Sequence, residues 1–277
     1  MKCFALIISM VLACTQLYPQ TNQECWVKVL NYHEILPAED IKDSNYLRLD
    51  DKKKASRAVY LIVPVDKFEE QLQFLKASYT VMSLRSMLWH IDNKEPFNSN
   101  GAVITIDGAG EDIYTHVYPL LKKYDMPATI FIQTRALKDP GGLTWEHMKE
   151  MSDNGIEIGS HSVNHIRLTK RYKKETQEIY EQRITNELAD SKLLLESKLK
   201  KKVEYFAYPY GAYNETVERL VLKAGYKAAV TVQWDKNTLS SNSFRLKRRP
   251  VKGTMSLSEF VNIFKYNAQD DFHESTD

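Results

Sequence analysis

Ala102-Val103-Ile104-Thr105-Ile106-Asp107-Gly108 is the stretch whose reading decides the fold. Its continuous apolar and β-branched run lacks the polar alternation of a half-exposed strand, so it reads as a strand covered on both faces, as in a parallel sheet under helices. The chain then turns helical: from Asp112 to Tyr124, Val117, Leu120, Leu121 and Tyr124 share one face, and Met126-Pro127 ends the segment. Ala128 to Ile132 follows as a second apolar strand. Strand, helix, strand at this spacing is a parallel unit with a helical crossover.

Working outward, the same alternation recurs. Val27 to Tyr32 is a strand candidate, and residues 66–77 place Phe68, Leu72 and Leu75 at helical spacing. A helix from Thr144 to Ser152 stops at Asn154-Gly155, ahead of the strand Ile156 to Gly159. A long charged helix spans about Lys174 to Lys200, its terminal lysines suiting the negative end of the helix dipole. Tyr205 to Tyr208 and Ala228 to Val232 are further strands, separated by a helix from Asn214 to Ala224. Several such units without a dinucleotide-binding glycine fingerprint predict one α/β domain, a (β/α) barrel over residues 26–268, with its active groups just past the strand C-termini. Residues 38–57 read as a polar connection and 269–277 as a flexible acidic tail.

Composition narrows the class. The 277 residues carry 38 Lys and Arg against 36 Asp and Glu, a net charge of +2, which gives no reason to expect a nucleic-acid partner. Met1-Lys2 precedes an apolar run from Cys3 to Ala13, too short to span a membrane, so residues 1–20 are expected to be an export signal. Val11-Leu12-Ala13-Cys14 resembles a bacterial lipoprotein cleavage box, with cleavage before Cys14 and a lipid on it as the expected membrane link. The expected location is the periplasm, cell envelope or exterior. Only Cys25 lies beyond the signal, so no disulfide and no thiolate metal cluster are expected.

The chemistry-bearing residues fall after the strands. Asp107 closes one strand, His33 follows another, and His161-Ser162-Val163-Asn164-His165 follows a third. Two imidazoles four residues apart share a face if the segment turns helically, and could share one cation. With a carboxylate base and a separate histidine acid they would suffice for metal-assisted hydrolysis. A barrel glycosidase using Asp107 and Glu157 is a weaker reading, because it leaves the histidines unused.

Val103 to Gly108, His161 to His165 and Phe206-Ala207-Tyr208-Pro209-Tyr210-Gly211-Ala212-Tyr213-Asn214 resemble the successive motifs of the polysaccharide deacetylases, carbohydrate esterase family 4. Asn31-Tyr32-His33-Glu34-Ile35, Phe68 to Leu84 and Leu246-Lys247-Arg248 are similar to the branch that includes the poly-N-acetylglucosamine deacetylases. The resemblance runs from about Val29 to Phe264. It implies a distorted (β/α) barrel and a carbohydrate N-deacetylase, a hydrolase of non-peptide C–N bonds. It also implies an N-acetylated glycan as substrate and a divalent metal (zinc, cobalt, nickel or iron). Carried over by position, His161 and His165 are metal ligands, Asp107 the general base, His33 the general acid and Arg248 the arginine that keeps the base ionised, with Arg249 as the alternative register. The backbone N–H of Tyr210 would face the developing oxyanion, within a substrate-binding run of Tyr208, Pro209, Tyr210 and Gly211. Trp145 matches a family aromatic near the sugar, and core packing is an equal reading of it.

One position departs. The family motif is Thr-Phe-Asp-Asp-Gly, the second Asp being a metal ligand, and here Thr105-Ile106-Asp107-Gly108-Ala109 puts glycine in its place. Three readings stay open: Asp107 itself ligates, with Glu111 or Asp112 as base or further ligand; two histidines and water hold the metal; or the domain is a catalytically inactive glycan-binding or matrix protein. Asp112 also fits a helix N-cap.

Overall fold

The structure is a computed structural model, and it describes residues 24–43 and 60–265. The expected export signal with Cys14, and the expected acidic tail, lie outside the described residues. Ten strands are described in chain order: β1 (Val27–Tyr32), β2 (Glu34–Leu36), β3 (Ile62–Pro64), β4 (Thr80–Val81), β5 (Gly101–Asp107), β6 (Ala128–Ile132), β7 (Glu157–Ser160), β8 (Tyr205–Ala207), β9 (Ala228–Val230) and β10 (Arg248–Pro250). The main sheet is parallel throughout, in the order β10-β1-β5-β6-β7-β8-β9, and β4 pairs with the first residues of β5. The segment leading into β10 returns to β9: Leu246 N–H donates to the Ala229 carbonyl (3.0 Å), and Thr231 N–H donates to the Leu246 carbonyl (2.8 Å). The ring is thereby nearly closed, as the sequence alternation predicts. β2 and β3 form a separate parallel pair beside it.

Period-2 burial divides the core. Val27, Val29, Val103, Phe131, Tyr205, Ala207, Ala228, Val230 and Leu246 form one cluster, inside the ring. Leu30, Tyr32, Ile104, Ile106, Ile130, Ile132, Phe206 and Ala229 belong to the outer cluster, under the helices. A further helix not among the expected elements, Leu84–Asn93, packs Leu84, Met87, Leu88 and Ile91 onto the inner cluster. Because side chains alternate, Asn31, Thr105, Asp107 and Arg248 fall on the inner face.

The other helices lie near their expected places: Val65–Ser78, Trp145–Asp153, Gln177–Leu199 and Glu215–Lys223. Thr144, Thr176 and Asn214 cap the last three by accepting the N–H of the third residue on. The expected helix over 112–124 is split, with a wide π turn at Ile113–Val117 before an α-helix at Tyr118–Tyr124. The expected polar connection over 38–57 begins with a helix, Ala38–Asp43. Among the described residues no helix is long and apolar enough to cross a membrane.

Candidate active site

A cavity of about 760 Å³ opens at the C-terminal end of the barrel strands. Asp107 and His161 line it from the ends of β5 and β7, joined by Asn31, His33, Gly108, Asp112, His165, Tyr208, Tyr210 and Gly211. Distant segments converge there because parallel strands deliver all their C-termini to one rim.

Asp107 is the most completely bonded group. Arg248, fully buried, donates from Nη1 to Oδ1 and from Nη2 to Oδ2, each at 2.7 Å. The same guanidinium donates to the Thr231 carbonyl (2.8 Å) and the Thr105 hydroxyl (3.1 Å), which leaves it little freedom to turn away. Burial alone would raise the Asp107 pKa, but the Arg248 charge, with a smaller contribution from His161, holds it well below the ordinary carboxylate range. The alternative register is excluded as the base's partner: Arg249 points elsewhere, its guanidinium 3.6 Å from the centre of the Trp234 ring.

The histidine pair meets by a different route from the one its spacing suggests. No helix forms over residues 161–165, and Ser162 (φ 64°) and His165 (φ 53°) take left-handed backbone conformations that turn the two rings toward each other. Their centroids are 4.6 Å apart. His161 Nδ1 pairs with the Ala207 carbonyl at 2.8 Å, so it carries the proton and Nε2 presents its lone pair to the cavity, 3.9 Å from Asp107 Oδ2. Burial lowers the His161 pKa to about 4 and lowers those of His165 and His33 as well. All three imidazoles are therefore neutral at pH 7.

His33 follows the buried Tyr32, whose hydroxyl donates to Gln71 Oε1 (2.9 Å) and whose ring packs edge-on against Phe68. That anchor turns Tyr32 outward and His33 inward. The charges of Asp107 and Arg248 act on His33. His33 Nδ1 and both polar atoms of the Asn31 carboxamide are buried and find no hydrogen-bond partner among the described residues. Asn31 was missed by sequence reasoning, although its inward register on β1 follows from strand alternation.

Tyr210 sits at the mouth, half exposed, in a left-handed conformation (φ 61°, ψ 14°) with its ring 4.6 Å from that of His165. Gly211, also left-handed at φ 64°, abuts Val232 so closely that a Cβ there would collide with it. Pro209 is buried outside the lining. Of the two readings of Trp145 the structure has the core one: it packs on the outer core with the Lys198 ammonium 5.7 Å from its ring, and it does not line the cavity. Glu157 sits at the start of β7, bonded to the Thr129 hydroxyl (2.7 Å) and beside Arg85 (3.5 Å), outside the cavity lining. The two-carboxylate glycosidase reading loses its second group.

At Gly108 a Cβ would meet only Ile113 Cδ1 at 3.6 Å and the His33 carbonyl oxygen at 4.0 Å, so neither crowding nor backbone demands glycine. Both Asp107 oxygens are engaged by Arg248, and no three His, Cys, Asp or Glu among the described residues are placed to hold a metal ion together. The donor set present, two neutral imidazoles, does not make a divalent-metal site as it stands.

The chain is similar to known proteins in sequence and in fold. The family described as polysaccharide deacetylase matches residues 94–229. A poly-beta-1,6-N-acetyl-D-glucosamine N-deacetylase of Staphylococcus aureus is 28% identical over 252 residues, covering 88% of this chain and 83% of that protein. The deacetylase PplD of Streptococcus pyogenes, solved with acetate, superposes with a TM-score of 0.71 at 27% identity, covering 87% of this chain and 98% of that one. BC0361, a polysaccharide deacetylase from Bacillus cereus, gives a TM-score of 0.67 at 25% identity over 87% of this chain and 69% of that one.

Proposed function

We propose, from its similarity to the polysaccharide deacetylase family over residues 94–229, that this chain removes acetyl groups from N-acetylglucosamine residues of a polysaccharide outside the cytoplasm. The observation that carries the reading is the buried Asp107–Arg248 pair at the floor of an open cavity, with neutral His33 in the same site. The positively charged start and apolar run of residues 1–13 support export, and Cys14 is the proposed lipid anchor.

Water attacks the acetamide carbonyl and gives up one proton to Asp107. His33, which burial keeps neutral, is then able to take up a proton in the same cavity. The tetrahedral oxyanion is met by the backbone N–H of Tyr210. As it collapses the C–N bond breaks, His33 delivers its proton to the departing nitrogen, and a free amine and acetic acid result, the acid then losing its proton to solvent as acetate.

Enzymes of this family generally depend on a divalent metal. Here His161 and His165 offer two neutral donors and Gly108 offers none. Incubation with N-acetylglucosamine oligomers, β-1,6-linked among them, tests the reading. Acetate and free amine should appear in equal amounts with no new reducing ends. Oligomer binding without acetate release, and unchanged in His161→Ala, would overturn it.

A further inference from the structure

Asp112 is a half-buried carboxylate at the cavity wall that the hydrolytic scheme leaves unused. The sequence suggests a helix N-cap, yet its backbone is already helical (φ −54°, ψ −32°) and its side chain makes no capping bond. Its Oδ2 instead accepts the N–H of Ile35, 77 residues away in sequence, at 3.0 Å. Gly110 makes room for this: a Cβ there would collide with Asp112 Oδ1. The loop that carries Asp112 is itself pinned, with Glu111 N–H donating to the Gly141 carbonyl (2.7 Å) and Leu143 N–H donating to the Ala109 carbonyl (2.8 Å).

Ile35 is the middle residue of β2, which pairs with β3 and not with the barrel sheet. His33 thus stands at the branch where the chain leaves β1 for β2. The β1 side is fixed by its ladders to β5 and β10. The β2 side is fixed to the barrel rim by the carboxylate of Asp112, two residues past His33. A carboxylate accepting a buried backbone N–H is a strong, charge-assisted bond and a suitable clamp.

We propose that Asp112 is a positioning residue for His33, its carboxylate tying the Ile35 N–H to the loop after β5 and so holding the imidazole in the cavity beside Asp107. The proposal rests on the reading of His33 as proton donor. A misplacement of about 1 Å can cost about 100-fold in rate. Asp112→Ala should therefore lower kcat by roughly 10- to 100-fold, with KM changed less than about twofold. Asp112→Asn keeps an acceptor for Ile35 and should recover most of the loss. Gly110→Ala should reproduce the loss with the carboxylate still present, because its methyl group takes the space of Oδ1.

Two readouts separate positioning from general structural support. In a His33→Ala background Asp112→Ala should cost less than about twofold, since the effect it transmits is already gone. An equal cost in both backgrounds overturns the proposal. The second readout needs no activity: the rate at which diethyl pyrocarbonate modifies His33, followed by peptide mass spectrometry. That rate should rise severalfold in Asp112→Ala and Gly110→Ala but not in Asp112→Asn. An unchanged rate in the first two overturns the clamp. A raised rate in a protein that releases no acetate leaves the clamp standing and removes the deacetylase reading alone.

Discussion

The two halves of the cavity are finished to different degrees. On the Asp107 side the Arg248 guanidinium makes four buried bonds: two to the carboxylate, one to Thr105 and one to Thr231. On the histidine side His161 is oriented by one carbonyl, His165 is held by a left-handed turn, and Gly108 contributes no side chain. The carboxylate and its guanidinium are locked together, whereas Gly108 adds no donor to the two imidazoles.

The contrast is open to direct attack. Arg248→Met should destabilise the fold by about 3–5 kcal/mol in urea denaturation, because it strands a buried carboxylate, whereas His165→Ala should cost under about 1 kcal/mol. Equal losses would erase the distinction. Next in size is acid. The unfolded chain protonates His161 near pH 6.5, whereas burial delays this to about pH 4 in the fold. Stability from this group is present above pH 6.5 and lost as pH falls through that window, on the order of 3 kcal/mol from pH 7 to pH 4. His33 and His165 shift in the same direction, and His161→Gln should flatten the profile.

Gly108→Asp sharpens the comparison from the other side. Its Cβ has ordinary van der Waals room, so restoring a carboxylate beside the two imidazoles should tighten zinc binding by at least about tenfold in calorimetric titration. Weaker binding would mean that another group already fills the ligand position. The smallest effect is expected at Trp145: Trp145→Ala should leave oligomer affinity within about twofold while costing about 1–3 kcal/mol of stability.

The parallel barrel was legible because buried strands and amphipathic helices have different periods, and β5 and β6 stand where that difference puts them. Asp107, His33 and the histidine pair were legible as residues following strands. How they meet was not. The turn at His165 depends on backbone conformations that no spacing rule encodes, and Asp112 looked like a cap because a local partner is the simpler guess for a short carboxylate. The helix Leu84–Asn93 escaped notice although Leu84, Leu88 and Ile91 carry its period. The Thr231 carbonyl that steadies Arg248 is backbone and leaves no mark in sequence. Thr105 does leave one, two residues before Asp107 on the same strand face.

The most direct measurement compares acetate release from N-acetylglucosamine oligomers by the wild-type protein and Asp107→Asn, assayed side by side at neutral pH with and without added zinc. The account predicts release by the wild type and a loss of at least about 100-fold in the variant. Equal rates from the two proteins, or no acetate from a wild-type protein that binds the oligomers, would contradict it.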